Sequence, residues 1–330
     1  METETAQPIL SIRNLRIAFP GGAKPAVAVD NLSLDLYLGQ VTALIGESGS
    51  GKSATILAIL GLLPSGTLVS GEIDLGQGSL SFADEKALAG LRGRVVGTVF
   101  QDPLASLNPV LTIGEQIDEV FQAHRGLSWR EARGESVALL GHVGLPDPEA
   151  RAQDYAHQLS GGQRQRAAIA MALAGRPGVL LADEPTSALD PTVQAQILDL
   201  LLALVEEGTA LLLVTHDLAF AAEAADRIAV IYAGRIVEHG PVAAVARNPI
   251  HPYTQALLAA SLPFGESAAG ELPGIPGRMP APGEALPGCV FAPRCLYVRE
   301  ICRRAPPPVI ALGEHEVACV LAAEKGTPAR

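Results

Sequence analysis

The sequence predicts an α/β protein built on a parallel sheet, and three observations carry that prediction. The apolar run Val41 to Ile45 feeds a glycine-rich loop and then a segment of helical composition, Ala54 to Leu63, stopped by Pro64. Two more apolar runs, Val179 to Ala182 and Leu211 to Thr215, flank the helix-like Thr192 to Glu206, the spacing of a strand, a crossover helix and a parallel strand. At 330 residues and 48% hydrophobic, the chain can bury a full core, as one large domain plus an extension or as two modest domains.

From the N-terminus, Met1 to Pro8 is acidic and polar with no apolar core. Leu10, Ile12, Leu15, Ile17 and Phe19 follow a mostly alternating pattern, and Leu32, Leu34 and Leu36 alternate strictly before the Gly39-Gln40 turn, so both segments are strands. Thr112 to Leu145 is helical and polar, an inserted helical subdomain with Glu115, Glu119, Arg130, Glu131 and Arg133 expected on solvated faces. After Gly240 the character changes: ten of the 25 prolines fall between 261 and 310, so the tail is loop-rich and is not expected to fold by core burial alone. The absence of an internal repeat excludes a tandem fusion of two copies of one domain. No stretch reaches the roughly 18 apolar residues of a membrane span, so any membrane role comes through partners. The net charge of −11 argues against a sequence-independent grip on nucleic acid.

Gly46-Glu47-Ser48-Gly49-Ser50-Gly51-Lys52-Ser53 fits the phosphate-loop spacing G-x-x-x-x-G-K-[ST]. Gly49 and Gly51 let backbone N–H groups face a β-phosphate, and the following helix adds its positive end. Lys52 would reach the β- and γ-phosphates of ATP, and Ser53 would take a place on Mg²⁺. Val179 to Glu184 is an apolar strand ending in two acids: Asp183 would hold Mg²⁺ and Glu184 would polarise the attacking water. Capping of the next helix explains one acid but not two. Ser160 is placed to cap the helix through Arg164, Arg166 and Ile169, aiming the N–H groups of Gly161 and Gly162 at an anion. The chain's own phosphate loop is complete without them, so a second subunit is the better source of that anion, in a head-to-tail dimer with two ATP sites.

The phosphate loop followed by Leu159-Ser160-Gly161-Gly162-Gln163 resembles the ATP-binding-cassette (ABC) ATPases. That resemblance implies a RecA-like parallel-sheet core with an antiparallel β subdomain and an inserted helical subdomain at about 102–165. It implies a cassette over 8–240 and an extension over 241–330. It also implies that Gln101 is the Q-loop residue on Mg²⁺ and the link to a transmembrane partner, and that His216 is the switch histidine at the γ-phosphate. Asp190, in Ser187-Ala188-Leu189-Asp190, matches the D-loop and joins Ser160 to Gln163 as a contact made in trans. Phe19 corresponds to the aromatic that stacks on adenine, and core packing at a strand end explains it equally well.

Gln101 to Pro109, with Pro249-Ile250-His251-Pro252-Tyr253-Thr254, resembles the dipeptide/oligopeptide/nickel importer ATPases, and Leu272 to Gly277 with Gly288-Cys289 and Pro293-Arg294-Cys295 resembles the C-terminal region of their D-type subunits. D-type relatives often carry Met where this chain has Gln163. The length of the tail favours peptides over nickel or another small solute. The family implies a second ATPase subunit of the F type, two permease subunits, an extracytoplasmic binding protein, and a peripheral place on the cytoplasmic face of the inner membrane. A chromosome-structural ABC ATPase would need a heptad insert that is absent here.

All four cysteines, Cys289, Cys295, Cys302 and Cys319, lie in the tail with spacing C-x₅-C-x₆-C-x₁₆-C. In a reducing cytoplasm that clustering points to a metal site, either tetrahedral Zn²⁺ or a [4Fe–4S] cluster. The lack of a close C-x₂₋₄-C pair, together with cluster-containing relatives of this C-terminal region, favours iron–sulfur.

Overall fold

The computed structural model describes residues 7–21, 24–76, 84–187, 189–261, 274–284 and 286–325. Met1 to Ala6, Ala188 of the D-loop segment, and Leu272 and Pro273 of the tail motif lie outside the described residues. The backbone forms two compact units: Met1–Ile9, Leu36–Gln40 and Ser81–Leu212 make the first, and Leu10–Asp35, Val41–Leu80 and Leu213–Arg330 make the second.

The strands in chain order are β1 (Leu10–Phe19), β2 (Ala26–Leu36), β3 (Val41–Ile45), β4 (Leu68–Asp74), β5 (Val96–Val99), β6 (Val179–Asp183), β7 (Ala210–Thr215), β8 (Arg227–Tyr232), β9 (Arg235–Pro241), β10 (Ile310–Leu312) and β11 (His315–Val317). β7 begins in the first unit and ends in the second.

In the first unit β5 and β6 pair in parallel, with Val96 opposite Val179 and Val99 opposite Ala182, and β6 is buried along its whole length. Helices Ile113–Arg125 and Trp129–His142 each start with a reciprocal capping box, Thr112 with Glu115 and Ser128 with Glu131. Each box marks where its helix begins. The solvated faces expected here are only partly so: Arg133 donates through Nε at 2.8 Å to Asp118, a carboxylate that is 1% exposed and also accepts from the Ser136 hydroxyl at 2.6 Å. A buried carboxylate requires such partners, which fixes the packing of the two helices.

In the second unit, β1 pairs antiparallel with β4, and its register shifts between Arg13 and Arg16 around Asn14, whose φ is +50°. That bulge is why the apolar phase slips from Leu10 and Ile12 to Leu15 and Ile17 while all four stay buried. The larger sheet runs β10-β11-β9-β8-β3, parallel between β3 and β8 and antiparallel at each other pairing. Helix Lys52–Leu60 follows β3 and ends at Gly61, whose φ of +64° closes it before Pro64. The tail packs a small core of its own from Ile250, Val317, Cys319 and Ala322. It adds β10 and β11 to the sheet, with Glu316 opposite His239 and Val317 opposite Glu238. Core burial contributes more to this region than its proline content predicts.

Candidate functional site: a phosphate loop, its acids and a thiol pocket

The phosphate loop leaves β3 with its glycines under constraint. A Cβ at Gly46 would lie 2.3 Å from the Ile231 carbonyl oxygen, and one at Gly51 would lie 2.7 Å from that of Ala28, with Gly51 at φ +111°. Gly49 is likewise left-handed, at φ +81°. Helix Lys52–Leu60 has Gly51 as N-cap, no side-chain cap and no acid in its first turn. Its first N–H groups and its positive end are therefore offered to an anion. Lys52, 5% exposed, donates its ammonium to the carbonyls of Gly46 at 2.7 Å and Glu47 at 3.1 Å, while Ser48 and Ser53 are exposed and Ser50 is buried. This cradle of glycines, lysine and hydroxyls fits a nucleotide triphosphate. His216, in the same unit, is exposed at the end of β7, where Asp217 caps helix Leu218–Ala224.

In the first unit, β6 delivers Asp183, 8% exposed, followed by Glu184 in a left-handed conformation with φ +45°. Such a backbone costs on the order of 1–3 kcal/mol for a residue other than glycine. Gln101 donates through Nε2 to Glu184 Oε2 at 3.1 Å, so the two predicted residues meet. Asp183 with Gln101 offers the oxygen donors that Mg²⁺ takes.

Ser160 caps helix Gly161–Leu173 in a capping box with Gln163: Ser160 Oγ accepts from the Gln163 N–H at 3.3 Å, and Gln163 Oε1 accepts from the Ser160 N–H at 2.9 Å. A Cβ at Gly162 would come within 2.7 Å of Val193 Cγ1, in the helix that Asp190 caps, so that glycine allows close packing of signature and D-loop helices. Phe19 is half-buried at the end of β1. A cavity of about 630 Å³ in the second unit is bordered by Gly49, Ala18, Arg16, Arg235 and Glu284; Phe19 does not line it.

The four cysteines line one pocket in the second unit together with His251 and Phe291. Burial pushes the Cys289 thiol up to about 11, and those of Cys295 and Cys319 are also raised by burial. The backbone N–H groups two residues on, Phe291, Tyr297 and Leu321, partly oppose the shift. No three His, Cys, Asp or Glu side chains among the described residues are arranged to hold a single metal ion.

Two residues with no assigned role at the sequence level meet the phosphate loop. The Tyr253 hydroxyl accepts from the Glu47 N–H at 2.9 Å, and Arg294 Nη1 reaches both carboxylate oxygens of Glu47, at 2.9 and 3.0 Å. Tyr253 stood inside the segment that carried the importer resemblance and Arg294 inside the one that carried the tail resemblance, the one available signal. No helix among the described residues is long and apolar enough to cross a membrane.

Comparison with known proteins gives two family matches: "ABC transporter" over residues 29–187 and "Oligopeptide/dipeptide transporter, C-terminal region" over residues 237–302. A peptide import ATP-binding protein of Brucella ovis is 49% identical over 322 residues, covering 94% of this chain and 95% of that protein. The dipeptide transport ATP-binding protein DppD of Haemophilus influenzae is 45% identical, covering 94% of each. The oligopeptide transport ATP-binding protein AppD of Bacillus subtilis is 43% identical over 96% of this chain and 98% of its own. Among solved structures, a dimeric ATP-binding cassette in a post-hydrolysis state with ADP and Pi matches with a TM-score of 0.63 at 32% identity, covering 71% of this chain and 98% of that one.

Proposed function

Because the chain belongs to the ATP-binding proteins of the dipeptide and oligopeptide ABC importers, we propose that it couples ATP binding and hydrolysis, at an interface between two ATPase subunits, to uptake of di- or oligopeptides across the cytoplasmic membrane. The observation that carries this reading is the identity of 43–49% running through both cassette and tail to relatives named for peptide transport. The cassette is assigned to 8–240, with its helical subdomain at about 102–165, and the extension to 241–330. The partners are a second, F-type ATPase subunit, two permeases and an extracytoplasmic binding protein, with this subunit on the inner face of the membrane.

In this assignment Gly46 to Ser53 hold the phosphates, Phe19 stacks on adenine, and Ser53, Gln101 and Asp183 hold Mg²⁺. The metal neutralises charge on the phosphates when bound. Glu184 orients and deprotonates the attacking water, with Gln101 holding its carboxylate and His216 reading the γ-phosphate. Ser160 to Gln163 and Asp190 close over nucleotide on the other subunit. Support comes from the uncapped helix after the phosphate loop and from the helix that starts at Gly161 within the signature, since helix starts suit an anion.

The four thiols are assigned to a [4Fe–4S] cluster. The four share one pocket, and a cluster offers four separate iron corners to such widely spaced thiolates. Thiolates on one zinc ion would sit about 3.8 Å apart, given Zn–S bonds near 2.3 Å. No such group of ligands is arranged among the described residues, so the choice of iron–sulfur over zinc rests on the spacing C-x₅-C-x₆-C-x₁₆-C, which lacks a close pair. The cluster's role is to staple the tail.

The test is to purify the assembled complex with its binding protein, identify the bound solute by mass spectrometry, and assay its stimulation of ATP hydrolysis. Short peptides that stimulate turnover are expected. Bound nickel, with no peptide response, would replace this reading by the metal-importing alternative.

A further inference from the structure

We propose that Arg294, in the C-terminal extension, is a positioning residue for ATP, acting through Glu47 of the phosphate loop. The inference rests on the phosphate loop binding ATP. Glu47 is a carboxylate inside a loop built to receive phosphates, and an unpaired negative charge there opposes binding. The Arg294 guanidinium lies over it at 2.9 and 3.0 Å with its own side chain only 4% exposed, against 31% for Glu47.

Nearly every donor of Arg294 is used. Nε donates to the Pro276 carbonyl at 2.8 Å, Nη2 to that of Ile275 at 3.1 Å, and Nη1 also reaches the Tyr232 hydroxyl at 3.4 Å. The guanidinium further lies over the Tyr232 ring, 5.8 Å from its centroid. A lysine could not make this set of bonds from one planar head. The tail segment at Ile275 and Pro276 and the short helical turn Ala292–Arg294 are thereby held together and onto the loop.

Tyr253 holds the same residue from its other side. Its hydroxyl accepts the Glu47 N–H, and its ring packs edge-on to Tyr232 at 4.6 Å between centroids. The Glu47 carbonyl meanwhile accepts from Lys52. Glu47 is thus fixed at amide, carbonyl and carboxylate, and its charge is turned toward Arg294. Met279, with its Cε 3.3 Å from where a Cβ at Gly49 would sit, extends the tail's contact along the same loop.

The experiment measures Mg²⁺-dependent binding of a fluorescent ATP analogue to the full-length chain, with circular dichroism as the check on folding. Arg294→Met should weaken binding on the order of tenfold, the scale of one lost charge-assisted hydrogen bond. Adding Glu47→Gln to it should restore most of that loss, because the uncompensated carboxylate is gone. In the assembled ATPase the same defect should appear in KM for ATP and leave kcat nearly unchanged. A folded Arg294→Met chain with wild-type affinity, or a loss that Glu47→Gln does not recover, would overturn the proposal, since a tail-packing role is blind to the charge at Glu47. If Arg294→Met does not fold, Tyr253→Phe takes its place and should weaken binding by about threefold; unchanged affinity there has the same negative force. Lys52→Ala is the control. Lost binding in it upholds the phosphate-loop reading, so that a silent Arg294→Met then counts against this inference alone, whereas normal binding removes the loop reading and this inference with it.

Discussion

Gln101 donates to Glu184 at 3.1 Å, and Glu184 holds its carboxylate there from a left-handed backbone position at φ +45°. The strained residue is the second acid of the strand terminus, the one that capping does not require. Its backbone is determined by the turn after β6, where the Ser187 N–H donates to the Glu184 carbonyl at 3.3 Å.

Glu184→Gln should therefore leave ATP affinity within about twofold while lowering turnover by about 10²–10⁴, the usual range for loss of a general base. Phosphate release by the assembled transporter measures it. Turnover near the wild-type rate would remove Glu184 from the mechanism.

Ser160 and Gln163 satisfy one another, so their role in a neighbouring site has to be separated from capping. Ser160→Ala should cost about 1 kcal/mol of stability, measured by urea unfolding. Where the chain forms homodimers, mixing Lys52→Ala with Ser160→Arg subunits should restore activity that each lacks alone, because one intact composite site then forms. Full activity of either single variant by itself would contradict a site shared between subunits.

The thiol pocket predicts a brown protein on anaerobic purification, with about four irons and four sulfides per chain. Cys295→Ser should bleach the broad visible absorbance. A colourless preparation containing stoichiometric zinc, or no metal, would show the assignment to be wrong.

His251 is fully enclosed, and burial lowers its pKa to about 3, while His239 is lowered to about 4 by burial and then by Arg227. Both fall below the unfolded value near 6.5, so the unfolded chain binds more protons between these limits. Stability from the neutral imidazoles is complete above about pH 6.5 and is lost as pH falls toward 4. His251 Nδ1 accepts from the Tyr253 N–H as the cap of helix Pro252–Ala260, a task asparagine can do. His251→Asn should flatten the acid limb of a stability-versus-pH curve; an unaltered slope would mean that this imidazole does not titrate on unfolding.

Glu238 accepts from the N–H groups of Ile250 at 2.7 Å and His251 at 3.2 Å, and pairs with His315 Nε2 at 2.8 Å, with no exposure of its own. Glu238→Ala should destabilise the chain by about 3–5 kcal/mol, as breaking a buried pair does. Chemical denaturation would show it. A loss below about 1 kcal/mol would place the pair among surface-like contacts.

Most of the cassette was legible because its signals are local. Glycine spacing, a five-residue apolar run and a capping box each act within one turn or strand, so the phosphate loop, β6 and the start of helix Gly161–Leu173 lie where the residues placed them. Helix boundaries shifted for an equally local reason: the helix after the loop begins at Lys52 and stops at Gly61, because glycines at both ends take left-handed backbone before Pro64 is reached. The tail was less legible. β10 and β11 are three residues each, too short to show periodicity, and Arg294 meets Glu47 across 247 positions of chain. Arg133 misled because its partner, Asp118, is an acid in a helix rich in acids and gives no sign of being the buried one.

β11 lies against β9 and occupies the flank that β9 would otherwise turn to solvent. A chain cut after Pro241 would keep every nucleotide motif yet expose an unpaired strand edge, strip Glu238 of its histidine and both amides, and leave the phosphate loop without Tyr253 and Arg294. Bare edges of this kind recruit other strands. The minimal cassette is therefore a poor candidate for expression as a free-standing domain: shortening the gene to its ATP motifs should produce aggregates before it produces a simpler enzyme.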